Sequence, residues 1–244
     1  MVTNIPISSM RQASLNLTDI LAKLEKFYRR QEPCWPLDPY EFIVWWHCGY
    51  PASDVTCAKG WKKLSTEIGI EPEKLLSATP AKLASALKPG GMFPELRGLR
   101  LKEIAMRVKD QFDGDLRSAL AKPASEARKI LKKFPGIADP GADRILLFSG
   151  IAPVAAVPSN CAHVLARILD GKEQENYART YRRLQEAIST EIAEKFDPRM
   201  RAYLLVKRHG QETCKRTKPK CDACPVNSVC AYFAANRDSS GRRS

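Results

Sequence analysis

Long apolar runs are missing from this chain of 244 residues: no stretch approaches the roughly 20 consecutive apolar residues needed to span a bilayer. The opening residues, Met1 to Pro6, also lack a basic segment followed by an apolar run, the pattern of a secretory signal. The expectation is a cytoplasmic protein (nucleoid-associated if bacterial) with no membrane partner. Alternating apolar–polar strand patterns are absent, as are internal repeats and low-complexity blocks. Histidine is scarce: the three residues His47, His163 and His209 are isolated, and each reads as a packing or helix-end residue. Acidic residues are in deficit, 27 Asp+Glu against 40 Lys+Arg, for a net charge of +13. That excess suits a polyanionic partner, because Lys and Arg displace counterions condensed on phosphates. Charge alone does not choose among DNA, RNA and an anionic membrane.

What is present reads as helix. Leu17 to Arg30 carries apolar residues at helical spacing, and Glu32-Pro33-Cys34-Trp35-Pro36 breaks it. Asp38-Pro39, a capping residue followed by proline at the first helical position, opens a second helix that is apolar on most faces and therefore buried. Further helices are predicted near 54–68, 71–77, 80–87, 99–112, 114–121, 124–134, 140–149, 160–170, 175–195 and 198–209. The polar, basic segment 231–244 is expected to be a tail without fixed structure.

Eight cysteines in a reducing compartment do not read as a disulfide framework. Cys34, Cys48, Cys57 and Cys161 are scattered, whereas Cys214-x6-Cys221-x2-Cys224-x5-Cys230 is one compact segment. Four soft thiolates so close in sequence suit a single Zn²⁺ or an iron–sulfur cluster. Zinc modules usually pair two close Cys-x2–4-Cys knuckles. Here there is only one, and the wider arms favour a larger centre. A second motif lies upstream. Leu131 to Ala138 (LKKFPGIA) and the helical residues after it form helix, tight Pro-Gly turn, helix. Gly136 can adopt the positive φ such a turn needs, and the N–H groups opening the second helix can grip a phosphate.

The cysteine spacing, with Leu204 to Gly210 (LLVKRHG) ahead of it, resembles the iron–sulfur loop and final helix of endonuclease III and the related adenine glycosylases. The hairpin resembles that family's Leu-Pro-Gly-Val-Gly, with Phe134 for the Leu and Ala138 for the second Gly. Asp38 to Phe42 and Ala52 to Val55 resemble the first core helix and the turn after it. Val157 to Leu169 resembles the entry to the catalytic helix, where Asn160, Val164, Leu165 and Arg167 match in register. The resemblance implies an all-α, two-lobed helix-hairpin-helix DNA glycosylase fold with a C-terminal [4Fe–4S] loop held by Cys214, Cys221, Cys224 and Cys230. It implies a monomer that binds double-stranded DNA, damaged or mismatched, and excises a base flipped into a pocket between lobes.

The implied divisions are an N-terminal helix in 1–37 that packs with the C-terminal lobe, a helical barrel over 38–152 with the hairpin, C-terminal helices over 153–213, the cluster loop 214–230, and the tail 231–244. The implied DNA contacts are Pro135, Gly136, Ile137 and Ala138 of the hairpin, with Lys215, Arg216, Lys218 and Lys220 of the loop; Tyr50, Pro51 and Asn160 face the cleft. Three prolines depart from the family. Pro158 stands at the position of the catalytic Asp, Pro140 at that of the Schiff-base Lys, and Pro51 at that of the Gln that fills the gap left by the flipped base. Proline is neither acid, base nor nucleophile, so the lyase step of bifunctional members is not expected here. No Asp or Glu lies between Asp143 and Asp170, which leaves Asp139 and Asp143 as candidate carboxylates. Two readings follow: a glycosylase with atypical catalytic residues, or a non-catalytic DNA-binding protein on the same scaffold. An RNA- or protein-interaction module fits the hairpin and basic loop least.

Overall fold

A computed structural model describes residues 16–240, and among them every regular element is a helix. The all-α architecture is therefore the one expected. Residues Met1 to Pro6 lie outside the described part.

Local chemistry sets the helix starts. Asn16 accepts from the Asp19 N–H to open α1 (Leu17–Tyr28). Asp38 accepts from the N–H groups of Tyr40 and Glu41 to open α2 (Pro39–His47), with proline at its first position. Ser53 caps α3 (Asp54–Glu67) through the Thr56 N–H, and Thr79 caps α5 (Pro80–Leu87), which follows the short α4 (Pro72–Ser77). The helix predicted from 99 begins five residues earlier, as α6 (Pro94–Phe112). The fixed φ of Pro94 suits the first turn, after Phe93 in a left-handed conformation. Asp115 caps α7 (Leu116–Ala119), and the hairpin is α8 (Ala124–Leu131) followed by α9 (Asp139–Phe148). The C-terminal part comprises α10 (Ala162–Asp170), α11 (Tyr177–Glu191) and α12 (Phe196–Glu212). A further helix, α13 (Ala231–Ser240), occupies most of the segment expected to be a structureless tail. Its Tyr232 and Phe233 pack onto apolar neighbours, an anchorage that the polar composition of the segment concealed.

Two apolar cores organise these helices. One gathers α2 to α9 around Phe42, Ile43, Val44 and Trp45, all fully buried, which is why α2 is apolar on nearly every face. The other joins α1 to α10, α11 and α12, with Val226 and Cys230 from the cysteine loop. Burying each such leucine or isoleucine contributes roughly 1.5–3 kcal/mol. The strap between α1 and α2 carries Trp35, whose ring packs edge-on to Phe42, Phe148 and Tyr203. Since Phe42 belongs to the first core and Tyr203 to α12, this ring ties the lobes together. Arg97 does similar work inside the first lobe: buried, it donates to the carbonyls of Cys48, Leu87, Gly91 and Met92.

Candidate functional site

Between the two cores opens a cavity of about 910 Å³, including space continuous with solvent. The turn from α2 to α3 supplies Tyr50, Pro51 and Asp54. The segment entering α10 supplies Pro158 and Asn160, α9 supplies Arg144, and α12 supplies Lys207. The cysteine loop adds Lys215 and Arg216. Six sequence-predicted residues thus meet in one place: Tyr50, Pro51, Pro158, Asn160, Lys215 and Arg216. The Tyr50 ring stacks on Trp46 at 4.0 Å, and the peptide between Tyr50 and Pro51 is cis. Trp45 and Trp46 are both buried, so packing accounts for them.

Among the described residues, Asp54 is the one carboxylate lining this cavity. It pairs with the Lys207 ammonium across the two lobes, and the Arg144 guanidinium stands 3.8 Å from its other oxygen. The side chains of Lys207 and Asp54 are only 13% and 18% exposed. Burial, and then the nearby Arg144, push the Lys207 amine below the usual lysine range, against the pull of Asp54. Arg144 lies 3.8 Å over the Trp35 ring, and its Nε and Nη2 have no hydrogen-bond partner. None of these three was a predicted site residue. Asp54 stood within a segment read as a turn, and nothing in the sequence links it to a lysine 153 positions away.

Asp139, Pro140 and Asp143 line a different cavity, between α9 and α11, of about 1010 Å³ including open space. Asp143 is 1% exposed and fully engaged. One oxygen accepts from Arg128 at 2.6 Å, and the other accepts from Tyr181 and Gln185 at 2.8 Å each. Burial raises its carboxyl above the usual range, while Arg128 and the Tyr181 hydroxyl oppose the shift. Asp139 is exposed and paired to Lys132 at 2.6 Å. Neither lines the interlobe cavity.

The hairpin turn has the backbone its sequence predicts. Gly136 takes φ +69°, and Ala138 precedes α9 with no side chain accepting from the helix's first N–H groups. Those donors remain available to an anion. Ala138, with φ −102°, is not left-handed, so its replacement of glycine costs no backbone strain. Gly136 and Ala138 are exposed, Pro135 is half-buried, and Ile137 turns inward.

The four clustered cysteines line one cavity of about 340 Å³, again including open space, at the edge of the second core. As placed, no group of three or more His, Cys, Asp or Glu among the described residues stands close enough to hold a metal ion. Burial is the first cause raising the thiols of Cys214, Cys221 and Cys224, the last to about 11. Two basic groups approach them. Arg167 Nη1 lies 3.7 Å from the Cys214 sulfur, and the same guanidinium donates to the carbonyls of Lys215 and Arg216 at 2.9 Å each. His209 Nε2 lies 3.6 Å from the Cys224 sulfur, and its Nδ1 meets the Tyr28 hydroxyl at 2.9 Å. His163 holds the Cys214 carbonyl at 2.7 Å. Lys215 and Arg216 are thereby directed to the cleft, whereas Lys220 borders the cysteine cavity and Lys218, at φ 54°, is exposed on the loop. Arg216 also pairs with Glu173 at 2.7 Å.

No family model matches the chain. It is 24% identical to a thymine-DNA glycosylase of Aeropyrum pernix over 66% of this chain and 69% of that protein. It is 22% identical to an endonuclease III of Sulfolobus acidocaldarius over 86% of this chain and 96% of that one. Among solved structures, an endonuclease III in a non-covalent complex with DNA superposes with a TM-score of 0.72 at 16% identity, covering 92% of this chain and 99% of that one. A thermostable thymine-DNA glycosylase superposes at 0.71 with 18% identity, covering 90% and 97%.

Proposed function

We propose that this chain, a member of the endonuclease III-like helix-hairpin-helix superfamily, is a DNA glycosylase of base-excision repair that clamps damaged or mismatched duplex DNA across its interlobe cleft. The observation that carries the reading is the cleft itself. A cavity large enough for a flipped nucleotide lies between two helical lobes, bordered by the loop cations Lys215 and Arg216. The hairpin's free N–H donors supply a second, sequence-independent grip on the phosphate backbone. Both grips are electrostatic, so binding weakens steeply with salt.

The cysteine loop suits a [4Fe–4S] centre held by Cys214, Cys221, Cys224 and Cys230. Four soft donors border one cavity; the Arg167 cation approaches the Cys214 sulfur, where it can offset thiolate charge, and the His209 ring nitrogen lies beside the Cys224 sulfur. The long arms of Cys214-x6-Cys221-x2-Cys224-x5-Cys230, with one close pair only, suit a polynuclear centre better than a single ion. Once bound, such a centre supplies a rigid covalent pin for the loop and a redox-active group. Arg167 then presents Lys215 and Arg216 by holding their carbonyls.

The test is excision from duplexes carrying oxidised, deaminated, alkylated or mismatched bases. Release of a base from any of them supports the reading. A specific observation favours a second one, a non-catalytic damage-recognition protein: prolines 51, 140 and 158 replace the family's working side chains. Tight binding to an abasic duplex with no excision anywhere on the panel selects that alternative.

A further inference from the structure

The interlobe cavity holds an amine and a carboxylate that conventional family chemistry does not use. Lys207, on α12, and Asp54, at the start of α3, meet from opposite lobes. Both side chains are largely buried, and both border the space reserved above for the everted nucleotide. Nearby, Arg144 is 5% exposed and stands 3.8 Å from the other Asp54 oxygen, a second cation beside the pair. A purely structural ion pair between lobes gains little from such burial, because desolvation offsets much of the Coulomb attraction. Placed against a sugar, the same pair has chemistry to do.

We infer that Lys207 and Asp54 form a relocated amine–carboxylate pair that cleaves abasic DNA as a lyase, with Lys207 the Schiff-base nucleophile and Asp54 its proton partner. The inference rests on the DNA-binding reading above but not on base excision. The proton count closes within the pair. Asp54 takes a proton from the Lys207 ammonium, and the freed amine lone pair attacks C1′ of the ring-opened abasic sugar. The N–C bond forms as the carbonyl electron pair moves to oxygen. That oxygen takes one proton from the nitrogen and one from Asp54 and leaves as water, giving an iminium and restoring the carboxylate. Asp54 next removes a C2′ proton, and the electron pair expels the 3′ phosphate as the C3′–O bond breaks. Water then hydrolyses the conjugated iminium, releasing an unsaturated aldehyde and the amine. Burial and Arg144, which lower the proton affinity of Lys207, ease the first transfer.

Cyanoborohydride trapping on a duplex with one abasic site tests this, using the full chain with binding to the same duplex measured in parallel. The expected result is a covalent protein–DNA adduct, with peptide mapping placing the link on Lys207. Lys207→Arg keeps a cation beside Asp54 but forms no Schiff base, so its adduct falls to background while its thermal melt shows a folded protein. Asp54→Asn slows strand cleavage by about 10²- to 10⁴-fold, the usual range for loss of a general acid–base. An adduct mapped to another amine overturns the inference. So does an unmodified wild type that binds the abasic duplex yet is never trapped. Mapping needs only the wild type, so a misfolded variant does not blunt the test. Failure to bind the duplex at low salt refutes the DNA reading itself, and this one with it.

Discussion

Replacing Asp143 by Asn separates a carboxylate that holds the fold from one that does chemistry. In sequence Asp143 is a tempting acid, a few residues into the hairpin's second helix. In the structure its oxygens are saturated by Arg128, Tyr181 and Gln185, and it faces away from the interlobe cavity. An Asn of the same shape can turn its oxygen to Arg128, but the bonds are no longer charge-assisted, a loss of about 1 kcal/mol or slightly more. Its NH₂ group then meets Tyr181, whose hydroxyl can rotate to accept, and the Gln185 amide. Gln185 cannot flip to accept without giving up its 2.9 Å bond to the Ala155 carbonyl. One unsatisfied buried donor adds roughly 1–3 kcal/mol. Together Asp143→Asn costs about 2–4 kcal/mol, which for a domain of this size lowers the melting temperature by roughly 5–15 °C. Asp143→Ala costs more, about 3–5 kcal/mol, because Arg128 loses its only buried partner; the 30% exposure of Arg128 holds the figure toward the lower end. Thermal and denaturant melts give these shifts, and an excision or abasic-processing assay well below the melting temperature gives activity per folded molecule. The expectation is a destabilised Asn variant with nearly unchanged turnover. A variant that melts like the wild type yet has lost all activity refutes the argument and returns Asp143 to the chemistry.

Four other perturbations probe separate parts of the molecule. Cys224→Ser removes one of the four loop thiols, beside His209; if the loop holds the proposed iron–sulfur centre, the variant purified anaerobically should show less iron and weaker broad visible absorbance than the wild type, and a lower melting temperature, since Cys224 packs against the second core. Gly136→Ala meets only ordinary contacts, the nearest being His47 Nε2 at 3.5 Å, so its cost is the positive φ, about 1–2 kcal/mol, seen in a denaturant melt and accompanied by weaker duplex binding. Lys215→Ala should weaken binding to all duplex sequences alike and lower the slope of log affinity against log salt by about 1, as read by fluorescence anisotropy across a salt series. Arg216→Ala should do less, because Glu173 already draws on that guanidinium.

Much of the fold is legible from the chain because its signals are local. Asp38-Pro39 announces α2, and the unbroken apolar run behind it announces a helix buried on all sides. The errors share a cause. The helix expected from 99 opens at Pro94, five residues early, and the polar residues of α13 hide the two aromatic rings that fasten it. The cleft is legible in part for a different reason: Tyr50, Pro51, Pro158 and Asn160 are found by register against a known family, and the structure does gather them. Its charged centre is not legible. Lys207 sits in a Lys-Arg doublet on an otherwise ordinary amphipathic helix, where a lysine normally points to water. Only the packing of α12 against the turn before α3 draws it inward onto Asp54. Asp143 fails the other way, because two of its three partners, Tyr181 and Gln185, come from α11, about 40 positions on, and its sequence neighbourhood says nothing of them.

The charges lodged in the cleft do not balance. Asp54 faces two cations, Lys207 and Arg144, and no second carboxylate among the described residues lines the cavity. An unmatched buried charge is expensive, and proteins usually shed it by moving a proton. The aromatic faces compensate partly. Arg144 stands 3.8 Å over Trp35 and 5.0 Å over Phe42, and the Lys207 nitrogen lies 4.7 Å over Trp35. Those rings hold a guanidinium well, but arginine does not give up its proton, so the remaining imbalance falls on the lysine. If Lys207 is neutral, Asp54 and Arg144 form a matched pair and the amine lone pair is available. If it stays charged, the excess cation draws a phosphate into the cavity. Covalent capture is open from either state, because Asp54, paired with the lysine, can take its proton before the amine attacks.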